Sequence, residues 1–433
     1  MAYRFPDVFL LDRVPKAFEY SQKFDPVEEV VILAKVWDAR GLLHIHDVDV
    51  QKCARHELVR VFNCLKNAQC DRQIGDRRGR NAVEMRVAGP SSNLPTGADL
   101  LDLVVDPKLE TLSIVCTDRK DFYHQFATSA NRTCANTVGP RIPLELLRDT
   151  EAMKAFASAK NAKKPSRLVG GNGLGFSDRQ AFSKCPDGFV MASFKSIFQG
   201  DHAGVEIATS AHEGILRFVG LLQDESCLES SRPFRGQDIC EGLVIDDYFA
   251  IAKVRHGVLV DPAVDRFKSC KEVYASLGIL GSDDKDVCGA RKAKVIGASV
   301  DASPSCQNRG HVLVAAPAAK RYALSWITLQ LCQLSHTTDA LHLCVLGGWT
   351  SILLFRRPFM SLLQKAFHVV DVSSFVASSS KLVPLSRPVV TELTLLSVLA
   401  PLCVSDVAVG FCDRLFATDA SLDKGAIVSS EVC

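Results

Sequence analysis

Two adjacent aspartates, Asp246 and Asp247, interrupt an apolar stretch that runs from Gly242-Leu243-Val244-Ile245 into Tyr248-Phe249-Ala250-Ile251-Ala252. The pattern predicts two apolar strands meeting at an acidic turn. That arrangement constrains the fold, because burying acidic groups costs several kcal/mol unless a cation or hydrogen bonds compensate, and neighbouring carboxylates repel. A third carboxylate, Asp118, ends another apolar run, residues 112–117, which also reads as a buried strand. Taken singly, Asp246-Asp247 fits a polar hairpin turn and Asp118 a helix cap. Taken together, three Asp from two neighbouring strands could hold two Mg2+ ions, which prefer hard oxygen ligands and share their remaining sites with water and substrate phosphates.

Length and charge narrow the function classes. At 433 residues the chain is expected to form two to four folded units. Its 51 Lys and Arg nearly balance 49 Asp and Glu, which excludes a binder that works through a large uniform positive field. Any nucleic-acid contact must be local, and residues 52–86 are locally basic, with nine Lys or Arg against four Asp or Glu. Sixteen Cys are scattered without a Cys-x-x-Cys pair, so neither a disulfide framework nor a zinc ribbon is expected. Cys332, His336, His342 and Cys344 match no common zinc spacing and read as residues of an apolar helix. No uncharged apolar run reaches about 18 residues, and the start lacks a charged-then-apolar leader. The chain is therefore expected inside the cell, in cytoplasm or nucleus, without a membrane partner.

A helix is expected over residues 30–37, broken at Gly41. A polar strand face carrying His44, His46, Asp47 and Asp49 is read as a surface strand rather than a metal site. Residues 89–97 read as a loop. Residues 129–190 read as an irregular insertion with a helix around 143–162, and Gly170-Gly171-Asn172-Gly173-Leu174-Gly175 within it as a flexible turn. Residues 205–222 carry an amphipathic helical pattern, 292–300 a short hairpin containing Gly297, and 320–370 helical segments with a basic stop at Arg356-Arg357-Pro358.

The order and wording of these segments resemble a family. Thr117-Asp118-Arg119-Lys120-Asp121-Phe122-Tyr123-His124-Gln125 resembles the first catalytic motif of retroelement reverse transcriptases, and Ile245-Asp246-Asp247 their paired-Asp hairpin. Phe198-Gln199-Gly200-Asp201, followed by a helix, is similar to the Gln-Gly turn that supports template and incoming nucleotide. Residues 71–81 are similar to the fingers segment Arg-x-x-x-Asp-x-Arg-x-x-Asn, and Val295-Ile296-Gly297 stands where the family has its primer grip. Phe416-Ala417-Thr418-Asp419-Ala420-Ser421 resembles the opening strand of the ribonuclease H domain, with Asp419 at its first metal ligand. The sequence departs from the family in three places: the Gln-Gly turn continues Asp201-His202-Ala203-Gly204, where small and apolar residues are usual, the segment between the first motif and Gln199 is longer than usual, and no aromatic stands two residues before the paired Asp.

The resemblance implies an α+β right-hand polymerase: N-terminal region and fingers over 1–111, a ferredoxin-like palm over 112–300 with the insertion at 129–190, a mostly helical thumb and connection over 301–410, and a truncated ribonuclease H-like start over 411–433. It implies RNA-directed DNA synthesis on an RNA or DNA template with a primer and dNTPs, using two Mg2+ ions, with Mn2+ able to substitute. Asp118, Asp246 and Asp247 would be catalytic metal ligands. Arg72 and Arg78 would bind triphosphate, Arg77 and Arg80 would follow template backbone, and Gln199 and Gly200 would lie against the template. Phe122 or Tyr123 would lie beneath the nucleotide sugar. The alternative is an inactive retroelement remnant that only binds nucleic acid.

Overall fold

The apolar runs become strands and buried helix faces in two separate cores. The computed structural model describes residues 25–47, 58–162, 188–230, 232, 234, 236–370, 381–410, 414–420 and 425–431. Gly170 to Gly175 lie outside the described residues, as does Asp49. The chain divides into two compact units, Met1–Ser92, Arg119–Gly214 and Gly278–Leu280 in the first, and Asn93–Asp118, Ile215–Leu277 and Gly281–Cys433 in the second.

In the first unit, helix Val27–Ala39 buries Val30, Ala34 and Trp37, spaced as one helical face. The chain turns out of the helix at Gly41, whose φ of +69° suits glycine. Strand Phe189–Phe194 is central in an antiparallel sheet, flanked by Leu43–Asp47 and Thr137–Pro143. Five consecutive buried residues there explain why its sequence does not alternate. Trp37 packs against Phe194 and Phe198, with ring centroids 4.9 and 5.9 Å away, and its indole donates to Gln73 at 2.9 Å. The expected helix is present as Glu151–Ala162, but the residues before it are not irregular: they form helix Ala130–Cys134 and strand Thr137–Pro143. Pairing with Phe189–Phe194 supplies an order that local pattern did not show. Nor is the His44-to-Asp47 strand a surface strand, because His46 is buried between the hydroxyls of Thr137 and Ser193, at 2.9 and 2.8 Å.

The second unit is built on an antiparallel sheet in the order Ile239–Val244, Asp247–Arg255, Glu110–Asp118, Val287–Ala290. Its apolar side chains, among them Leu112, Ile114, Phe249 and Ile251, join one core with Trp349, Leu353, Leu393 and Leu396 from helices Asp339–Leu353 and Arg387–Leu399. Trp349 is fully buried, and its indole donates to Thr328 on helix Ala318–Leu331 at 2.9 Å. A further sheet orders Lys292–Val295, Ala298–Asp301, Leu313–Ala315 and Val404–Asp406. Its first hairpin turns on Ile296 and Gly297, with φ of +40° and +83°. Strand Arg414–Ala420, which contains Asp419, pairs with Gly425–Glu431. No described helix is long and apolar enough to cross a membrane.

Candidate functional site

The three acidic residues gather at one end of the second unit's main sheet. Val244 pairs with Asp247, leaving Ile245 and Asp246 as a two-residue turn between the strands. On the other edge of the same strand Asp118 lies opposite Asp247. Directly opposed residues bring their side chains within about 5 Å, so register alone makes the carboxylates neighbours. The turn has a cost: Ile245 has φ +58°, a left-handed conformation unfavourable by about 1–2 kcal/mol for a residue with a Cβ and rarer still when that carbon is branched.

Charge is only partly balanced there. Lys285, in the Asp283–Lys285 turn, forms an ion pair with Asp118, and the Ser282 amide donates to the Asp118 carbonyl at 3.0 Å. Asp247 opens its strand at the solvent edge. Its carboxyl is nevertheless pushed up to about 6, first because the packed sheet strips hydration from it, then because Asp246 and Asp118 repel its charge, while Lys285 acts in the opposite sense. Burial, with the charge of Asp247, also pushes the Cys116 thiol up to about 12. Among the described residues no three Asp, Glu, His or Cys side chains already converge on one point. Hard carboxylate oxygens are the donors a divalent metal would take, and here Asp118 and Asp247 stand on adjoining strands with Asp246 in the turn that precedes Asp247.

In the first unit the basic segment separates into exposed and buried parts. Arg72 is exposed on hairpin strand Cys70–Asp76, opposite Cys64 on Arg60–Asn67. Arg78 is exposed and pairs with Asp76 at 2.8 Å, and that bond holds the Asp76 carboxyl below its usual range. Arg77 and Arg80, which the sequence reading placed along template backbone, are instead 1% exposed and ion-paired to Glu84. Arg77 and Arg132 also pair with Asp201, and Arg132 with Glu84. Burial alone would raise both carboxyls, but the arginine charges outweigh it and hold Glu84 and Asp201 below the usual range. The departure at Asp201 thus has a structural reason. Glu84 and Arg132 gave no local sequence signal.

Gly200 is likewise explained from within the protein. Its φ is +114°, and a Cβ there would collide with the Gly75 carbonyl. The Gly75 amide donates to the Gln199 carbonyl at 2.8 Å, and the Asn81 amide group donates to the Gly200 carbonyl at 2.8 Å. The close approach that glycine permits is therefore to the hairpin base. Phe122 is buried, its ring 4.7 Å from Phe126 and 4.8 Å from His212, so it serves the core. Tyr123 is half-buried beside Gly204, leaving it the more accessible of the two aromatics. Of the four Cys and His residues read as part of an apolar helix, only His342 is buried, bonding the Ala366 carbonyl at 2.8 Å; Cys344 is exposed, and His336 is exposed on strand His336–Thr338.

No protein-family model matches the chain, and no curated protein matches its sequence. Solved structures do. A foamy viral protease-reverse transcriptase in complex with double-stranded DNA matches 97% of the chain at 10% identity, with a TM-score of 0.55. Another complex with double-stranded DNA matches 97% at 11% identity and TM-score 0.52, and one with an RNA/DNA hybrid 95% at 9% identity and TM-score 0.51. The chain spans 56%, 66% and 42% of those three chains, less than two thirds of each. The likeness shows a reverse-transcriptase-like fold.

Proposed function

We propose that the chain is an RNA-directed DNA polymerase of a retroelement, transferring dNMP to a primer 3′-hydroxyl. The observation that carries this reading is the register: Asp118 opposite Asp247, with Asp246 in the adjoining turn. In this reading the sheet belongs to a palm, the residue 60–76 hairpin to fingers, and the helices after residue 300 to thumb and connection. Asp118, Asp246 and Asp247 would hold two Mg2+ or Mn2+ ions, which would supply Lewis acidity for the primer hydroxyl and charge neutralisation for the pyrophosphate. Arg72 and Arg78 bind triphosphate oxygens through their planar forks, Arg78 by exchanging Asp76 for phosphate. Tyr123, rather than Phe122, is the residue under the sugar. Gln199 and Gly200 position the fingers base, and Asp419 takes no part in polymerisation.

A primer-extension assay on poly(rA)/oligo(dT) with Mg2+ tests this. Incorporation by the wild type and its loss in Asp246→Asn support the polymerase. A second reading, a remnant that binds nucleic acid without turnover, is favoured by the ion pair that engages Asp118 with Lys285. Retention of primer-template in a gel-shift assay with no incorporation would decide for it.

A further inference from the structure

We propose that Glu241 and Tyr248 are positioning residues that hold the acidic hairpin in register, an assignment that rests on the polymerase reading above. Glu241 lies in strand Ile239–Val244 and is 0% exposed. A carboxylate there is tolerated only with full compensation, and its donors come from three parts of the unit. The Tyr248 hydroxyl donates to Oε2 at 2.7 Å and the Leu222 amide to the same oxygen at 3.0 Å. Ser226 Oγ donates to Oε1 at 3.0 Å, and Arg266 Nε on helix Pro262–Leu277 stands 3.6 Å from it. Arg266 also donates to the Gly220 carbonyl at 2.7 Å, closing the loop of residues 220–226 onto the helix.

The placement of Tyr248 gives this cluster its consequence. Tyr248 pairs with Leu243, two residues from Glu241, so the two side chains share a face and their bond crosses the hairpin diagonally. Tyr248 directly follows Asp247. A slip of one residue would turn every side chain of the strand to the opposite face, breaking this bond and moving Asp247 away from Asp118. The left-handed Ile245 lies in the turn just beyond, and such strain persists only where the surroundings over-determine it. Packing alone would be met by apolar residues at both positions.

The test is Mn2+ affinity of the full chain, read from the free-ion electron paramagnetic resonance signal, in wild type and Tyr248→Phe. Loss of the hydroxyl is expected to weaken Mn2+ binding about tenfold, and kcat similarly, with KM for dTTP unchanged. Ser226→Ala, which removes a more remote bond to the same carboxylate, is expected to weaken Mn2+ binding about threefold and carries the test if Tyr248→Phe fails to fold. Wild-type Mn2+ affinity in a folded Tyr248→Phe, or in Ser226→Ala where the first variant does not fold, would overturn the proposal even with a lowered Tm. A wild type that binds Mn2+ but extends no primer would defeat the polymerase reading and leave the affinity comparison decisive for this one. A wild type that binds no Mn2+ would defeat both.

Discussion

Asp247 is the residue whose chemistry is most open to measurement. Its folded-state pKa of about 6 lies above the ordinary carboxylate value of 3.8, so the folded state binds more protons than the unfolded chain between those values. The contribution of this group to stability is therefore present at low pH and declines as pH rises through about 4 to 6. Asp247→Asn should flatten that part of the Tm profile, and added Mg2+ should raise the wild-type Tm above pH 6, as ligand binding to the folded state requires. Because Lys285 lowers this pKa, Lys285→Gln should move the Asp247 carboxyl titration, followed by carbon-13 NMR, to higher pH. An unchanged titration would show that Lys285 does not act on Asp247. At this scale the acidic pair was legible because carboxylates inside an apolar run are conspicuous. The fate of Arg77 was not, since it pairs with Asp201, which is held in turn by Arg132, both far along the chain.

Among the elements, the base of the exposed hairpin is held by the buried arginine and carboxylate cluster. Asp201→Ala would leave Arg77 and Arg132 short of a buried partner, a loss of about 3–5 kcal/mol, measurable by urea unfolding. Since Asp201 and Glu84 are held below their usual range, their contribution is present above pH about 4 and lost as pH falls. Gly200→Ala should cost at least about 1–3 kcal/mol from backbone strain, with the collision against the Gly75 carbonyl adding to it. A Gly200→Ala protein of wild-type stability would refute this packing. The Ile296-Gly297 hairpin is braced by Lys292 with Asp301, whose carboxyl is lowered to about 2: burial opposes the shift, and the Lys292 and Ser303 hydrogen bonds overcome it. The hairpin of Ile239–Val244 with Asp247–Arg255 and the helix Gly204–Phe218 were readable because their patterns are local, though the helix stops short of the expected residue 222. Strand Thr137–Pro143 was not, because its order comes from pairing with residues some fifty positions later.

For the whole molecule, the reverse-transcriptase-like fold appears as likeness to foamy viral enzymes at 9–11% identity, a level at which sequence order survives mainly as spaced landmarks. The motifs carried that order; the seat of Glu241, three hydrogen-bond donors and an ion pair, left no trace in it, since one Glu in an apolar strand reads as ordinary alternation. The central claim is that Asp118, Asp246 and Asp247 act as one metal-binding catalytic unit. Single-turnover incorporation of dTMP on poly(rA)/oligo(dT) tests it in Asp118→Asn, Asp246→Asn and Asp247→Asn, with circular dichroism reporting the fold. Each variant is predicted to keep the fold and lose on the order of 10²–10³ in rate. A folded variant of any of the three that incorporates at the wild-type rate would contradict the account.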